Sequence, residues 1–143
     1  MSEDRITVEE LRYISVFNEI TGATAFRCIV DNETGKYLFL VKKGDLGKAI
    51  GKNGRNIKIL GDLLKKPLEV FEYSEDIAGM VRNLLPGVGV LRVDVSERGE
   101  EKIVVVKVRE EDKGKAIGKD GRNVKRARLV LNKMFGVTKV IIK

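Results

Sequence analysis

The chain has no histidine, and its one cysteine, Cys28, stands alone. The first absence removes the commonest general base and metal ligand at neutral pH. The second excludes an intrachain disulfide and any thiolate cluster, and it suits a reducing compartment. No metal and no cofactor are expected. Asp45, Asp62, Asp112 and Asp120 are explained as helix caps and surface charges, so nothing points to catalysis. Long apolar runs are missing as well. "YLFLV" (37–41) and "IVVVKV" (103–108) are strand-sized, far short of the roughly 18 residues of a membrane span. The opening "MSEDRITVEE" is acidic with no apolar stretch behind it, which is not the pattern of a signal peptide. A cytoplasmic protein with no membrane partner is expected.

Aromatics are few: five phenylalanines and three tyrosines. Phe17, Phe26, Phe39, Phe71 and Phe135 fall on apolar faces and are assigned to the core, which leaves no aromatic platform for stacking bases. What the chain does have is Leu, Ile and Val enough for a packed core, in 143 residues that suffice for one ordinary domain or two small ones.

The net charge of +7 is segregated. Residues 1–35 and 67–101 carry balances of −4 and −5, whereas 36–66 and 102–143 carry +7 and +9. Each basic block contains one copy of a repeated phrase. "GKAIGKNGRNIK" (47–58) returns as "GKAIGKDGRNVK" (114–125), identical at ten of twelve positions and displaced by 67 residues. Two positive blocks locked to one repeat point to a shared anionic ligand, most simply a phosphate backbone.

The repeat extends beyond the phrase. In "TVEELRYISVFNEITG" (7–22) apolar residues at 8, 11, 14, 17 and 20 form a helical stripe. Thr7 is read as its N-cap, with Glu10 completing a capping box, and Gly22 as its stop. Two β-rich runs then flank the turn chemistry of Asp31-Asn32-Glu33-Thr34-Gly35. The phrase, a helix from about Arg55 to Lys65 and the strand "PLEVFEY" (67–73) complete the half. The second half repeats the order. "SEDIAGMVRNLLPG" (74–87) opens on a Ser N-cap and an acidic first turn, "VGVLRVDV" and "KIVVVKV" form a hairpin around "SERGEE", and a helix runs to about Phe135 with Gly136 as C-cap before "VTKVIIK". Two α/β units, 1–73 and 74–143, follow, with almost no linker and so a nearly fixed relation expected between them.

Asp45 and Asp112 stand ahead of the phrase as N-caps. Gly51-Lys52-Asn53-Gly54 and Gly118-Lys119-Asp120-Gly121 then each interrupt a helix with glycines that let a ligand approach the backbone, and the next helix start faces outward. The spacing does not fit Gly-x-x-x-x-Gly-Lys-[Ser/Thr], nor is Gly-x-Gly-x-x-Gly present.

"IGKNGRNI" (50–57) and "IGKDGRNV" (117–124) resemble the Ile-Gly-x-x-Gly-x-x-[Ile/Val] signature of KH domains, in which the Gly-x-x-Gly loop clamps four nucleotides of a single strand. The element order resembles the type II arrangement, and two such units in tandem resemble the archaeal NusA-like transcription factors, which lack the polymerase-binding and S1 domains of bacterial NusA. The resemblance implies an α+β fold with helices packed on a three-stranded sheet in each unit. It implies two RNA clefts: Gly51, Lys52, Asn53 and Gly54 with Lys48, Arg55 and Lys58 in one, and Gly118, Lys119, Asp120 and Gly121 with Lys115, Arg122 and Lys125 in the other. Ala49, Ile50 and Ile57, and Ala116, Ile117 and Val124, would line the groove floors, with core packing the competing explanation for each. Asp120 puts a carboxylate on the second tip and is expected to weaken that clamp or restrict the backbone geometry that fits it. Single-stranded RNA is the implied partner of a monomeric protein, with RNA polymerase or the transcription complex behind it. RNA binding in ribosomal RNA maturation or translation, and a protein–protein adaptor, are the alternatives.

Overall fold

A computed structural model describes residues 5–143. The first four residues of the acidic opening, Met1–Asp4, on which the expectation of no signal peptide partly falls, lie outside them. The chain divides into two compact units, Arg5–Tyr73 and Ser74–Lys143.

In the first unit α1 (Val8–Thr21) precedes the hairpin of β1 (Ala25–Val30) and β2 (Tyr37–Val41), then α2 (Leu46–Ile50), α3 (Arg55–Leu64) and β3 (Leu68–Glu72). The sheet runs β1-β2-β3, antiparallel across the hairpin and parallel between β2 and β3. The parallel neighbour is reached through the helical crossover α2–α3, as parallel pairing requires. Tyr37, Phe39 and Val41 join Ile14 and Phe17 of α1, Ala49 of α2 and Leu60 of α3 in one apolar core. Phe17 and Phe39 stack there with centroids 4.3 Å apart. Truncating either to Ala removes about 3–5 kcal/mol.

The boundaries of α1 are those expected, but its buried face is not. Thr7 caps the helix by accepting the Glu10 amide at 3.0 Å, and Gly22 closes it at φ 74°. The Glu10 side chain does not return to complete a capping box. It pairs with Arg27 Nε at 2.7 Å and accepts the Cys28 amide at 2.8 Å, tying α1 to β1. The core-facing stripe is therefore Tyr13, Ile14, Phe17 and Thr21, whereas Val8, Leu11 and Ile20 are exposed. Thr21 is buried because its hydroxyl donates to the Phe17 carbonyl at 2.8 Å.

The second unit repeats the plan with α4 (Ile77–Leu84), β4 (Val90–Arg98), β5 (Glu101–Val108), α5 (Lys113–Ile117), α6 (Arg122–Phe135) and β6 (Lys139–Ile142), in sheet order β4-β5-β6. Its core is Met80 and Leu84 of α4, Val104, Val106 and Val108 of β5, and Ala127, Val130 and Leu131 of α6. Ser74 is not the N-cap of α4. Asp76 takes that place, accepting the Gly79 amide at 3.2 Å, while Ser74 Oγ donates to Asp76 at 2.7 Å. These two bonds hold the Asp76 carboxyl below its ordinary value, the Ser74 hydroxyl most of all. The hairpin strands run through most of "SERGEE", with the pair Arg98–Glu101 closing on Gly99-Glu100. Gly136 ends α6 at φ 74°, as expected.

Phe17, Phe39 and Phe71 are buried. Phe135 is half-buried, and Phe26 is exposed, edge-on to Tyr73 at 5.1 Å. The reason for Phe26 is a bulge between Ala25 and Arg27, which breaks the alternation that would have turned it inward.

Candidate nucleic-acid interface

The repeated phrase folds the same way twice. α2 closes with the Gly51 amide on the Gly47 carbonyl at 2.8 Å, and α5 with Gly118 on Gly114 at 2.8 Å. The chain then leaves the helix at Gly51 (φ 78°, ψ 169°) and Gly118 (φ 77°, ψ 169°), a region open in practice only to glycine. Asn53 (φ 56°) and Asp120 (φ 58°) follow in the left-handed region, then Gly54 and Gly121, both at φ 74°. Asn and Asp are the side chains that tolerate that conformation best, so the one difference between the two tips changes charge and keeps shape.

The next helices start without a side-chain cap at Gly54 or Gly121. The Arg55 amide is taken by the Lys52 carbonyl and the Arg122 amide by the Lys119 carbonyl, and the positive end of each helix dipole lies at its turn, an arrangement suited to a phosphate. Nothing lies within 4 Å of a Cβ built on Gly54, so that side of the turn is open.

Around the first turn Lys48, Lys52, Asn53, Arg55 and Lys58 are exposed, and around the second Lys119, Asp120, Arg122 and Lys125 are exposed. Lys115 is exposed too, but its ammonium donates to the Gly87 carbonyl at 3.1 Å and fastens α5 to the loop before β4. The groove-floor residues separate by exposure. Ala49 and Ala116 are fully buried and act as core, Ile57 and Val124 are half-buried, and Ile50 and Ile117 stand 38% and 36% exposed beside the turns.

Asp45 and Asp112 sit at the N-cap positions of α2 and α5 but cap neither helix. Asp45 accepts the Thr24 amide at 2.9 Å and Asp112 the Gly89 amide at 2.8 Å, so each ties its turn-bearing helix to the entry of its own hairpin. Asn56 and Asn123, in the middle of the phrase, escaped the sequence reading. Each donates its side-chain amide to the carbonyl eight residues back, Lys48 or Lys115, at 2.8 Å. Their identity in both copies was the available signal.

Among the described residues no group of three or more His, Cys, Asp or Glu side chains could hold a metal ion, and no helix is long and apolar enough to cross a membrane. Cys28 is buried, and burial together with the Glu10 carboxylate pushes its thiol up to about 12.

Comparison with known proteins identifies the family. A KH domain model matches residues 11–96, and a model of the NusA-like second KH domain matches residues 77–139. The chain is 33% identical over 95% of its length to the probable transcription termination protein NusA of Methanococcus vannielii, covering 78% of that protein. It is 30% identical over its whole length to the protein of the same name from Thermoplasma acidophilum, covering 98% of it. The crystal structure of APE1850 superimposes with a TM-score of 0.94 at 59% identity, over 96% of this chain and all of that one.

Proposed function

Since the chain belongs to the KH-domain family, and within it to the archaeal NusA-like transcription termination proteins, we propose that it binds single-stranded RNA through both Gly-x-x-Gly turns without chemistry of its own. The backbone of the strand is clamped at Gly51-Lys52-Asn53-Gly54 and at Gly118-Lys119-Asp120-Gly121. Lys48, Arg55 and Lys58, and Arg122 and Lys125, supply positive charge beside the turns, while Lys115 serves chiefly to hold α5. Bases lie toward Ile50 and Ile57, and toward Ile117 and Val124. The observation that carries the reading is the shared backbone of the two turns, each opening an uncapped helix among exposed cations.

The name of the relatives supports a role in transcription termination, and the proposal extends it to a monomer that contacts RNA polymerase at the nascent transcript. Retention of polymerase by the tagged protein after ribonuclease treatment tests that contact directly.

RNA binding is tested with labelled single-stranded RNA, single-stranded DNA and duplex RNA across a salt series. Native protein is compared with Lys52→Asp combined with Asn53→Asp, and with Lys119→Asp, each checked for folding. Selective, salt-sensitive binding of single-stranded RNA that falls in the tip variants is expected. Equal binding by folded variants and native protein would remove the turns as the clamp and favour an adaptor role.

A further inference from the structure

On the second sheet the strand register sets three cations in one row. Arg92 of β4 is paired with Lys107 of β5. Lys143 donates its amide to the Val106 carbonyl, and its own carbonyl accepts the Val108 amide, which seats it beside Lys107 on the β6 side. Residues directly opposite one another in a sheet project to the same face. That face is turned away from the helices, because Val104, Val106 and Val108, which alternate with Lys107, are buried in the core. The next rows on it are Asp94–Val105–Ile141 and Ser96–Ile103–Lys139. Arg92, Lys107, Lys139 and Lys143 are all exposed, and the aliphatic side chains among them are half-buried.

An ordinary solvated face explains this poorly. The same hairpin pairs Glu97 with Lys102 and Arg98 with Glu101, opposite charges across the strands. Arg92 against Lys107 reverses that rule two pairs further on from Asp94, and like charges directly opposite are destabilising. Asp94 answers Arg92 at 2.9 Å, but both side chains are largely exposed, so the pair contributes little. Lys107 and Lys143 have no such answer on the row. The first unit sharpens the contrast. Its residues 67 positions earlier, Leu38 and Leu40, and Phe71 paired with Leu40, are apolar and buried where the second unit has Val105, Lys107 and Lys143.

We infer that this face of the second sheet is a further contact surface for the phosphate backbone of single-stranded RNA, distinct from the Gly-x-x-Gly turn on the helix side. The inference rests on the RNA-binding reading above. The cation row meets successive phosphates, and Ile103, Val105 and Ile141 offer an apolar floor to the sugars and bases between them. A tetranucleotide is taken up at a turn, whereas a longer strand has backbone left to cross the sheet.

The test compares native protein with the combined variant Lys107→Gln, Lys139→Gln, Lys143→Gln, using a labelled tetranucleotide and a strand of about 20 nucleotides. Removing one cation that neutralises a phosphate of a single strand lowers the salt slope by about 0.7, which is about fivefold in affinity on going from 1 M to 0.1 M salt. The variant is expected to bind the tetranucleotide as native protein does and the long strand at least fivefold more weakly at low salt. In native protein, amide resonances of 103–107 and 139–143 should shift with the long strand only. An unchanged salt slope for the long strand overturns the inference, and so does an equal fall in affinity for both probes, which would place the cations at the turn or in the fold. Failure of native protein to bind either RNA would sink the RNA reading itself, an outcome separate from a variant that matches a binding native protein.

Discussion

The side-chain amide of Asn56 donates to the Lys48 carbonyl at 2.8 Å, and it does so from the place a Cβ on Gly51 would need, 2.9 Å from the Asn56 Cγ. One side chain thus satisfies a carbonyl at the end of α2 and fills the inside of the turn. Replacing Asn56 with Ala removes the bond and should cost about 1 kcal/mol in urea unfolding. Asn56→Asp should cost more, because it turns an acceptor toward the carbonyl. RNA affinity should fall in both variants, since the tip loses its brace while all its cations remain. An Asn56→Ala variant with native stability and affinity would show that the bond does not shape the turn.

The glycines of one turn are expected to behave differently. Gly51 combines a glycine-only backbone with a Cβ position that meets Asn56, so Gly51→Ala should cost roughly 3 kcal/mol. Gly54 lies in the left-handed region with nothing near its Cβ, so Gly54→Ala should cost about 1 kcal/mol and Gly54→Asn less. Placing Gly51→Ala in an Asn56→Ala background should lower its cost, because the side-chain clash goes while the 3.0 Å approach to the residue 56 backbone nitrogen and the backbone strain stay. Denaturant midpoints of the four proteins of that cycle decide it.

The repeat made the turns and the element order readable, because two copies of one phrase constrain each other. What escaped had local causes. The bond from Asn56 to Lys48 spans eight residues and follows no helical or strand period. Phe26 falls on an apolar face of its strand in the sequence, and the bulge at Ala25/Arg27 turns it out. The stripe of α1 was sought among apolar residues only, whereas its inner face includes Thr21 bonded to Phe17, and Glu10 reaches from it to Arg27. Polar side chains with internal partners are invisible to a hydrophobic pattern. Likewise Ser74 has the chemistry of an N-cap, but its hydroxyl serves Asp76, which does the capping.

Alkaline pH should unfold the first unit ahead of what surface charge alone would produce. The Cys28 thiol is pushed from 9.0 to about 12, by burial first and then by Glu10. The Tyr37 phenol rises from 10.0 to about 12, through its hydrogen bond with Tyr13 first and burial second. Both groups are acids whose folded values are raised. The unfolded chain therefore releases their protons first, and the stability present below pH 9 is lost as pH climbs toward 12. Each group should contribute up to about 1.4 kcal/mol per pH unit within its window. Urea unfolding at several pH values above 9 should show a shallower decline for Cys28→Ala, and a further reduction when Tyr37→Phe is added. Parallel curves for native protein and Cys28→Ala would mean that the thiol ionises in place. Near neutral pH the same burial should leave Cys28 unreactive to a disulfide reagent until the protein unfolds.

Asp120 offers the cleanest separation of charge from shape at the second turn. Asn53 and Asp120 hold φ 56° and φ 58°, and either side chain supports that backbone. Asp120→Asn should therefore leave thermal stability within about 0.5 kcal/mol of native, as expected of an exposed substitution. It removes one negative charge from a tip placed to meet phosphate, so affinity for single-stranded RNA should rise by about twofold to fivefold near 0.1 M salt, with a steeper salt slope. The gain should fade at high salt, where exposed charges are screened. The reverse change, Asn53→Asp, should weaken binding at the first turn by a similar factor and again leave the fold alone. If neither change moves the low-salt affinity, the tips do not approach phosphate closely enough to sense a unit charge. If only Asn53→Asp does, the first turn holds the strand while the second stands aside.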